Sequence, residues 1–242
     1  HLPAPARAAA MRDPALRARI LSEDRVAGSN FPLITRISFE RMFPFGDPPD
    51  YAPPKEASIA AIAAREGRRA EEVAYDLLIA DDGAGFIFAP LTNFADYTLS
   101  ASAECLRHPN AIAGLSDGGA HVGFISDGSF PTFLLTYWAR DAKEQVFPVE
   151  EIVRRLTSDT ARAAGLADRG VLRPGMKADV NVFDLASLGL EAPRMVSDLP
   201  AGGRRLLQRA RGFDATIVAG AITYRGGEAT GALPGRLVRA GR

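Results

Sequence analysis

Asp117 stands in "GLSDGGAHVG" (114–123), directly after the apolar and small-residue run "NAIAG" (110–114). A carboxylate on a loop after a strand can bind a metal ion and take a proton from a metal-bound water. The same aspartate can cap the next turn or close an Asx-turn beside Gly118. Position alone leaves both open. His121 can be a ligand or an acid/base, or it can make an ordinary polar contact. The glycines of "GGAHVG" invite comparison with a phosphate cradle, but they lack the GxGxxG spacing and the Walker lysine. Asp127 in "SDGSFP" reads as a turn residue or a helix cap, and His108 as a helix-end residue beside terminal carbonyls. Cys105 reads as a small buried hydrophobe within a helix. Three histidines, with no HxH, HExxH or CxxC, cannot by themselves build a nitrogen-rich metal centre.

In open α/β sheets and (β/α) barrels the working residues sit at the C-terminal ends of strands. The elements around Asp117 therefore matter. "DPALRARILSED" (13–24) has helical spacing, with Asp13 placed to cap and Pro14 suited to the first turn. "PLITRISFERM" (32–42) is β-prone. "SIAAIAAREG" (58–67) and "AEEVAYDLLIADDG" (70–83) predict two helices, the first capped by Ser58 and stopped at Gly67. "GFIFAP" (85–90) predicts a short buried strand and "ADYTLSASAECLRHP" (95–109) a helix. "NAIAGLSD" (110–117) predicts the strand that delivers Asp117. Alternating strands and helices predict a parallel α/β layout.

After Asp117 the pattern shifts. Residues 131–144 and 148–165 predict amphipathic helices, the second ending at Gly165. Residues 170–184 and 214–239 are glycine- and proline-turned β segments expected to pair with one another in a separate small layer. "GGRRLLQRARG" (202–212) reads as a solvated helix face. The domain change falls near Gly165.

The totals narrow the function classes. Lys plus Arg and Asp plus Glu are 29 each in 242 residues, which gives no electrostatic case for nucleic acid or an anionic membrane. No apolar run approaches the roughly 18 residues of a membrane span, and the one cysteine fits a reducing, cytoplasmic compartment.

Several runs together resemble the amidohydrolase superfamily (amidohydrolase family 3), and within it the N-acyl-D-amino-acid deacylases, or D-aminoacylases. They are "HPNAIAGLSDGGAH", "SFPTFLLTYWAR", "SDTARAAGLADRGVLRPGMKADVNVFD" and "IVAGAITYRGGEATGALPGRLVR". The resemblance implies an α/β fold: part of a metal-dependent (β/α)8 TIM-like barrel over residues 1–165, and strands of a small β-sandwich domain over 166–242. It implies that Asp117 closes the last barrel strand, takes a proton from a metal-bridged water and delivers it to the leaving amine. Asp117 is then also a possible oxygen ligand to zinc. The family's HxH, its strand-borne Cys or Lys ligand and two later histidines have no counterpart here, and a barrel alone takes roughly 250 residues. The chain is therefore expected to be the C-terminal portion of a longer enzyme, its fold completed by a missing N-terminal half or by another chain. On its own it is expected to be inactive.

The implied substrate is a small N-acyl amino acid. The resemblance also implies an arginine a little after the aspartate that grips the substrate carboxylate; "GAHVGFISDG" (119–128) is shorter and has none, and His121 is the candidate to take over polar recognition of the substrate. Two alternatives stand beside this: a cyclic-amide hydrolase of the dihydroorotase or hydantoinase kind, and an inactive short binding protein with a relic fold.

Overall fold

Local signals set the helices of the first hundred residues. In the computed structural model, which describes residues 2–23, 37–114, 116–119, 121–143 and 147–238, helices span Ala4–Met11 and Pro14–Ser22. The Asp13 carboxylate accepts the Leu16 amide at 2.8 Å, satisfying an amide that the first turn leaves without a partner. The helix Ile59–Glu66 starts at Ser58, whose hydroxyl accepts the Ala61 amide at 3.2 Å, and ends at Gly67 with φ 65°. The helix Ala70–Gly83 breaks near its end, where Asp81 and Asp82 turn left-handed. Ile59, Ala63, Val73 and Ala74 form a core, with Phe39, Met42, Leu77 and Ile87 packed against it.

Strand β1 (Phe43–Phe45) pairs antiparallel with β2 (Phe86–Phe88). Aromatic rings hold this short ladder. Phe45 stacks on Phe88 at 5.2 Å, and the fully buried Phe43 meets Phe94 edge-on at 6.1 Å, contacts worth about 0.5–1.5 kcal/mol each beyond burial. Most of the strand expected over 32–42 lies outside the described residues, and Phe39–Arg41 is a 3-10 turn.

The chain divides into two compact units, His1–Ser102 and Ala103–Arg242. The helix expected over 95–109 is confined to Ser100–Arg107, because the Asp96 carboxylate accepts the Thr98 amide at 3.1 Å and holds the preceding residues in a turn. Ala103 takes the buried face of that helix, and Cys105 is exposed rather than buried.

In the second unit a short helix, Phe130–Phe133, runs on as a π-helix over Leu134–Asp141. The Thr136 hydroxyl donates to the Thr132 carbonyl at 3.0 Å, competing with the regular ladder, and the Ala142 amide reaches Tyr137 O at 2.8 Å. Leu134, Leu135 and Trp138 are buried. The helix expected over 148–165 is two pieces, Val149–Leu156 and Ser158–Ala163, broken at Thr157 (φ −125°, ψ −87°) and followed by Gly165 at φ 72°.

The remainder is β. Strand β3 (Val180–Phe183) pairs with β8 (Phe213–Val218), so the two C-terminal segments meet as expected. Strands β9 (Ala221–Arg225) and β10 (Glu228–Ala229) extend that sheet in the order β10-β9-β8-β3. Strand β4 (Gly189–Leu190) pairs with β7 (Ala210–Arg211). Strands β5 (Arg194–Leu199) and β6 (Gly203–Leu207) form a hairpin, which corrects the helix expected over 202–212. After Pro200 the left-handed Ala201 (φ 58°) and Gly202 (φ 74°) reverse the chain. The Arg205 guanidinium then grips both Asp198 oxygens at 2.8 Å, leaving no room for helical spacing to decide.

The fold is thus a mixture of helix and sheet, but every described ladder is antiparallel, not parallel. Among the described residues, no helix is long and apolar enough to cross a membrane.

Candidate active site

Residues 111–114 and 116–117 belong to no strand, so Asp117 is not delivered by the strand expected over 110–117. Two causes are visible. Alanine, asparagine and glycine are poor strand formers, and local hydrogen bonds take the backbone: the Ala111 amide donates to His108 O at 3.0 Å and the Asn110 amide to His108 Nδ1 at 3.2 Å. The His108 ring therefore accepts a backbone proton, where the sequence suggested a role beside helix carbonyls.

A pair of turns presents Asp117 instead. The Ser116 hydroxyl accepts the Gly118 amide at 3.1 Å, closing a turn in which Asp117 takes φ 52°. A non-glycine residue in that region is uncommon, though aspartate tolerates it better than most. Asp117 is exposed. A Cβ on Gly118 would lie 2.9 Å from Ser116 Oγ and 3.4 Å from Gly128 Cα, so Gly128 sits against the Asp117 turn. Gly128 belongs to the second copy of the same tripeptide, Ser126-Asp127-Gly128. Asp127 opens a 3-10 turn, Asp127–Ser129, that leads into the Phe130–Phe133 helix, and its side chain caps nothing.

The juxtaposition shows in the electrostatics. The Asp127 carboxyl is raised above the usual carboxylate range, first by partial burial and then by the negative charge of Asp117. By surface area the residue still reaches solvent, so its burial is partial. Among the described residues no cation pairs with either carboxylate. From sequence Asp127 reads only as a turn residue or a cap. The signal that could have found it was the repeated "SDG", ten residues apart.

His121 is also left-handed (φ 43°) and exposed. Its ring stacks on Phe124 at 5.1 Å, and its carbonyl accepts the Phe124 and Ile125 amides at 2.9 and 3.2 Å. Three residues in this segment thus define a polar, acidic, exposed surface, but the structure assembles only the two aspartates by charge. Among the described residues no group of three or more His, Cys, Asp or Glu side chains could hold a metal ion. A catalytic zinc needs about three protein ligands, so these residues alone do not fit a complete zinc site. Two carboxylates on neighbouring turns, with no cation paired to them among the described residues, can carry protons or contribute oxygens to a cation whose other ligands come from elsewhere.

Residues 4–224 match the Amidohydrolase family, and the chain belongs to it. It is 36% identical to the D-aminoacylase of Alcaligenes xylosoxydans xylosoxydans over 111 residues, 46% of this chain and 20% of that protein. It is 35% identical to the dihydroorotase of Lactobacillus acidophilus over 77 residues, 32% of this chain and 18% of that protein. The aligned stretches thus span about a fifth of the length of these curated relatives. A solved D-aminoacylase structure is similar at 24% identity and a TM-score of 0.41, covering 79% of this chain and 36% of that one. A second, from work on the binuclear metal centre of D-aminoacylase, gives the same values.

Proposed function

We propose that this chain carries the proton-transferring aspartate of an amide hydrolase that deacylates N-acyl-D-amino acids. The observation that carries the proposal is Asp117, held left-handed against the Asp127 turn in a segment of an amidohydrolase-family chain. Asp117 accepts a proton from the water that attacks the amide carbonyl and returns it to the amine nitrogen as the C–N bond breaks. A carboxylic acid and a free amino acid leave, and the atoms of one water are consumed. His121, in the next turn, contacts polar atoms of the substrate.

The D-aminoacylase match covers more of the chain than the dihydroorotase match, which supports the acyclic substrate. The dihydroorotase similarity keeps a cyclic amide as the second reading. Residues 1–165 are proposed as the barrel part and 166–242 as the strands of a β-sandwich, in a cytoplasmic enzyme. Zinc is the proposed metal, with Asp117 as one oxygen ligand and the rest supplied outside the described residues. The partner is a small N-acyl amino acid.

The test uses the complete gene product and the 242-residue chain side by side. Zinc is measured by elemental analysis, and both are assayed against N-acyl D- and L-amino acids and against dihydroorotate. The complete product is expected to bind zinc and release a free D-amino acid, and the 242-residue chain to do neither. Turnover of the cyclic amide alone would establish the second reading.

A further inference from the structure

The loop from Val122 to Ser129 is tied at both ends to the end of one strand. The Leu206 amide on β6 donates to Val122 O at 2.7 Å. Two residues on, Gln208 bonds in two directions: its Nε2 donates to the Glu191 carbonyl at 2.9 Å, and its Oε1 faces the Ser129 hydroxyl. A carbonyl only accepts, so Glu191 O fixes which end of the amide points where. Oε1 is then turned to Ser129, and the Ser129 hydroxyl must be the donor. Gln208 and Ser129 are both partly buried, where losing a partner costs more than at the open surface. Between the two attachments lies Asp127-Gly128, the turn on which Gly118 and hence Asp117 rests.

We propose that Gln208 is a positioning residue, which through Ser129 fixes the second SDG turn and so sets Asp117 and Asp127 against each other. The proposal rests on the reading of Asp117 as the proton-transferring residue. Gln208 touches neither aspartate and acts through a hydrogen bond to the loop between the helix 130–133 and Asp127. The strand end is a rigid template, and the glutamine conveys its position to a turn that has no ladder of its own.

The chemistry makes the variants specific. Gln208→Leu removes both bonds. Gln208→Glu keeps an acceptor for Ser129 but loses the donor to Glu191 O. Ser129→Ala removes the hydroxyl, and Ser129→Thr restores it. Hydrogen exchange of the Phe124 and Ile125 amides reads the order of the loop in the 242-residue chain, with the Gly226 amide, bonded to Asp214 O at 2.9 Å, as an internal control. Gln208→Leu and Ser129→Ala are expected to speed exchange at Phe124 and Ile125 by about tenfold, one hydrogen bond's worth. Gly226 is expected to stay unchanged and Ser129→Thr to stay near the parent, while Gln208→Glu, whose second oxygen meets Glu191 O with no proton between them, is expected to speed exchange as Gln208→Leu does. In the complete gene product, Gln208→Leu and Ser129→Ala are expected to lower kcat by about tenfold with KM within about twofold, and Ser129→Thr to restore kcat. Ser129→Ala carries the test if Gln208→Leu does not fold. Unchanged exchange at Phe124 and Ile125 overturns the positioning role. So does faster exchange with an unchanged kcat while Asp117→Asn abolishes turnover, because the aspartate then acts without that anchor. Full turnover in Asp117→Asn overturns the Asp117 reading itself, whatever the exchange rates show.

Discussion

Two aspartates in the second compact unit live under opposite conditions. Asp198 sits in strand β5, and the Arg205 guanidinium bonds to both of its oxygens. That side-chain hydrogen bond holds its carboxyl below the usual carboxylate range. Asp127 sits in a turn beside Asp117, has no cation among the described residues, and is held above the usual range. The first arrangement is what an exposed surface makes at little cost and small net gain. The second works against folding: a partly buried carboxyl feels a second negative charge, and the residue that carries that charge has a left-handed backbone. A fold keeps such a pair when the charges have something other than the fold to serve. The hairpin's carboxylate builds architecture, and the loop's carboxylates are the ones to which the proposed function assigns chemistry.

Charge removal separates the two most sharply. Asp117→Asn is expected to lower kcat of the complete gene product by at least about a hundredfold, the scale of losing a positioned acid/base. Asparagine also tolerates φ 52°, so the melting temperature should move by less than about 2 °C. Asp198→Asn, which removes the architectural carboxylate, should leave kcat unchanged. Steady-state kinetics beside thermal melts measure both, and equal turnover in the two variants would erase the distinction.

A purely architectural break comes next. Gly212, between β7 and β8, has φ +90°, and a Cβ there would lie 2.6 Å from Leu188 Cα and 2.7 Å from Leu188 N. Leu188 is itself fully buried, so neither partner can retreat. Gly212→Ala is expected to destabilise by about 2–4 kcal/mol, adding backbone strain to overpacking. A urea titration should show a lower midpoint with an unchanged slope.

What the sequence made legible follows the reach of the interactions. Asp13, Ser58 and Gly67 were readable because a cap is decided within four residues. The pairing of β3 with β8 was readable from alternation. The β5–β6 hairpin was misread as helix because "GGRRLLQRARG" is not decided by its own residues. It is decided by the Ala201-Gly202 reversal and by Asp198 across the turn. Cys105 was misplaced by two residues' worth of helix face, since Ala103 takes the core. The strand before Asp117 failed because a strand needs a neighbour, which no local pattern reports. Asp127 was visible as a residue, but only the contact of Gly118 with Gly128 made it part of a pair.

The smallest expected effect tests the comparison through pH. For Asp127 the folded carboxyl titrates above its unfolded value of about 3.9. Below that value both states hold the proton, and pH changes nothing. As pH rises from the unfolded value through the folded one, the unfolded chain releases its proton first. The folded state then binds more protons, and stability falls as pH rises. Asp127→Asn removes that fall, so the variant should melt slightly above the parent at pH 7, by under about 0.5 kcal/mol once solvent screening is counted. Asp198 has the reverse sign. Its folded carboxyl titrates below the unfolded value, so its contribution is present above the unfolded value and is lost as pH falls through the folded one. Asp198→Asn should therefore weaken the parent at pH 7 and differ from it least in acid. High salt should shrink the Asp198 effect more, because partial burial, the larger cause for Asp127, is not screened by ions. Melting curves of the parent and both variants from pH 3 to 8, at low and high salt, measure the two slopes. An Asp127→Asn variant that melts at or below the parent at pH 7 would show that neither burial nor the Asp117 charge holds the Asp127 carboxyl above its unfolded value.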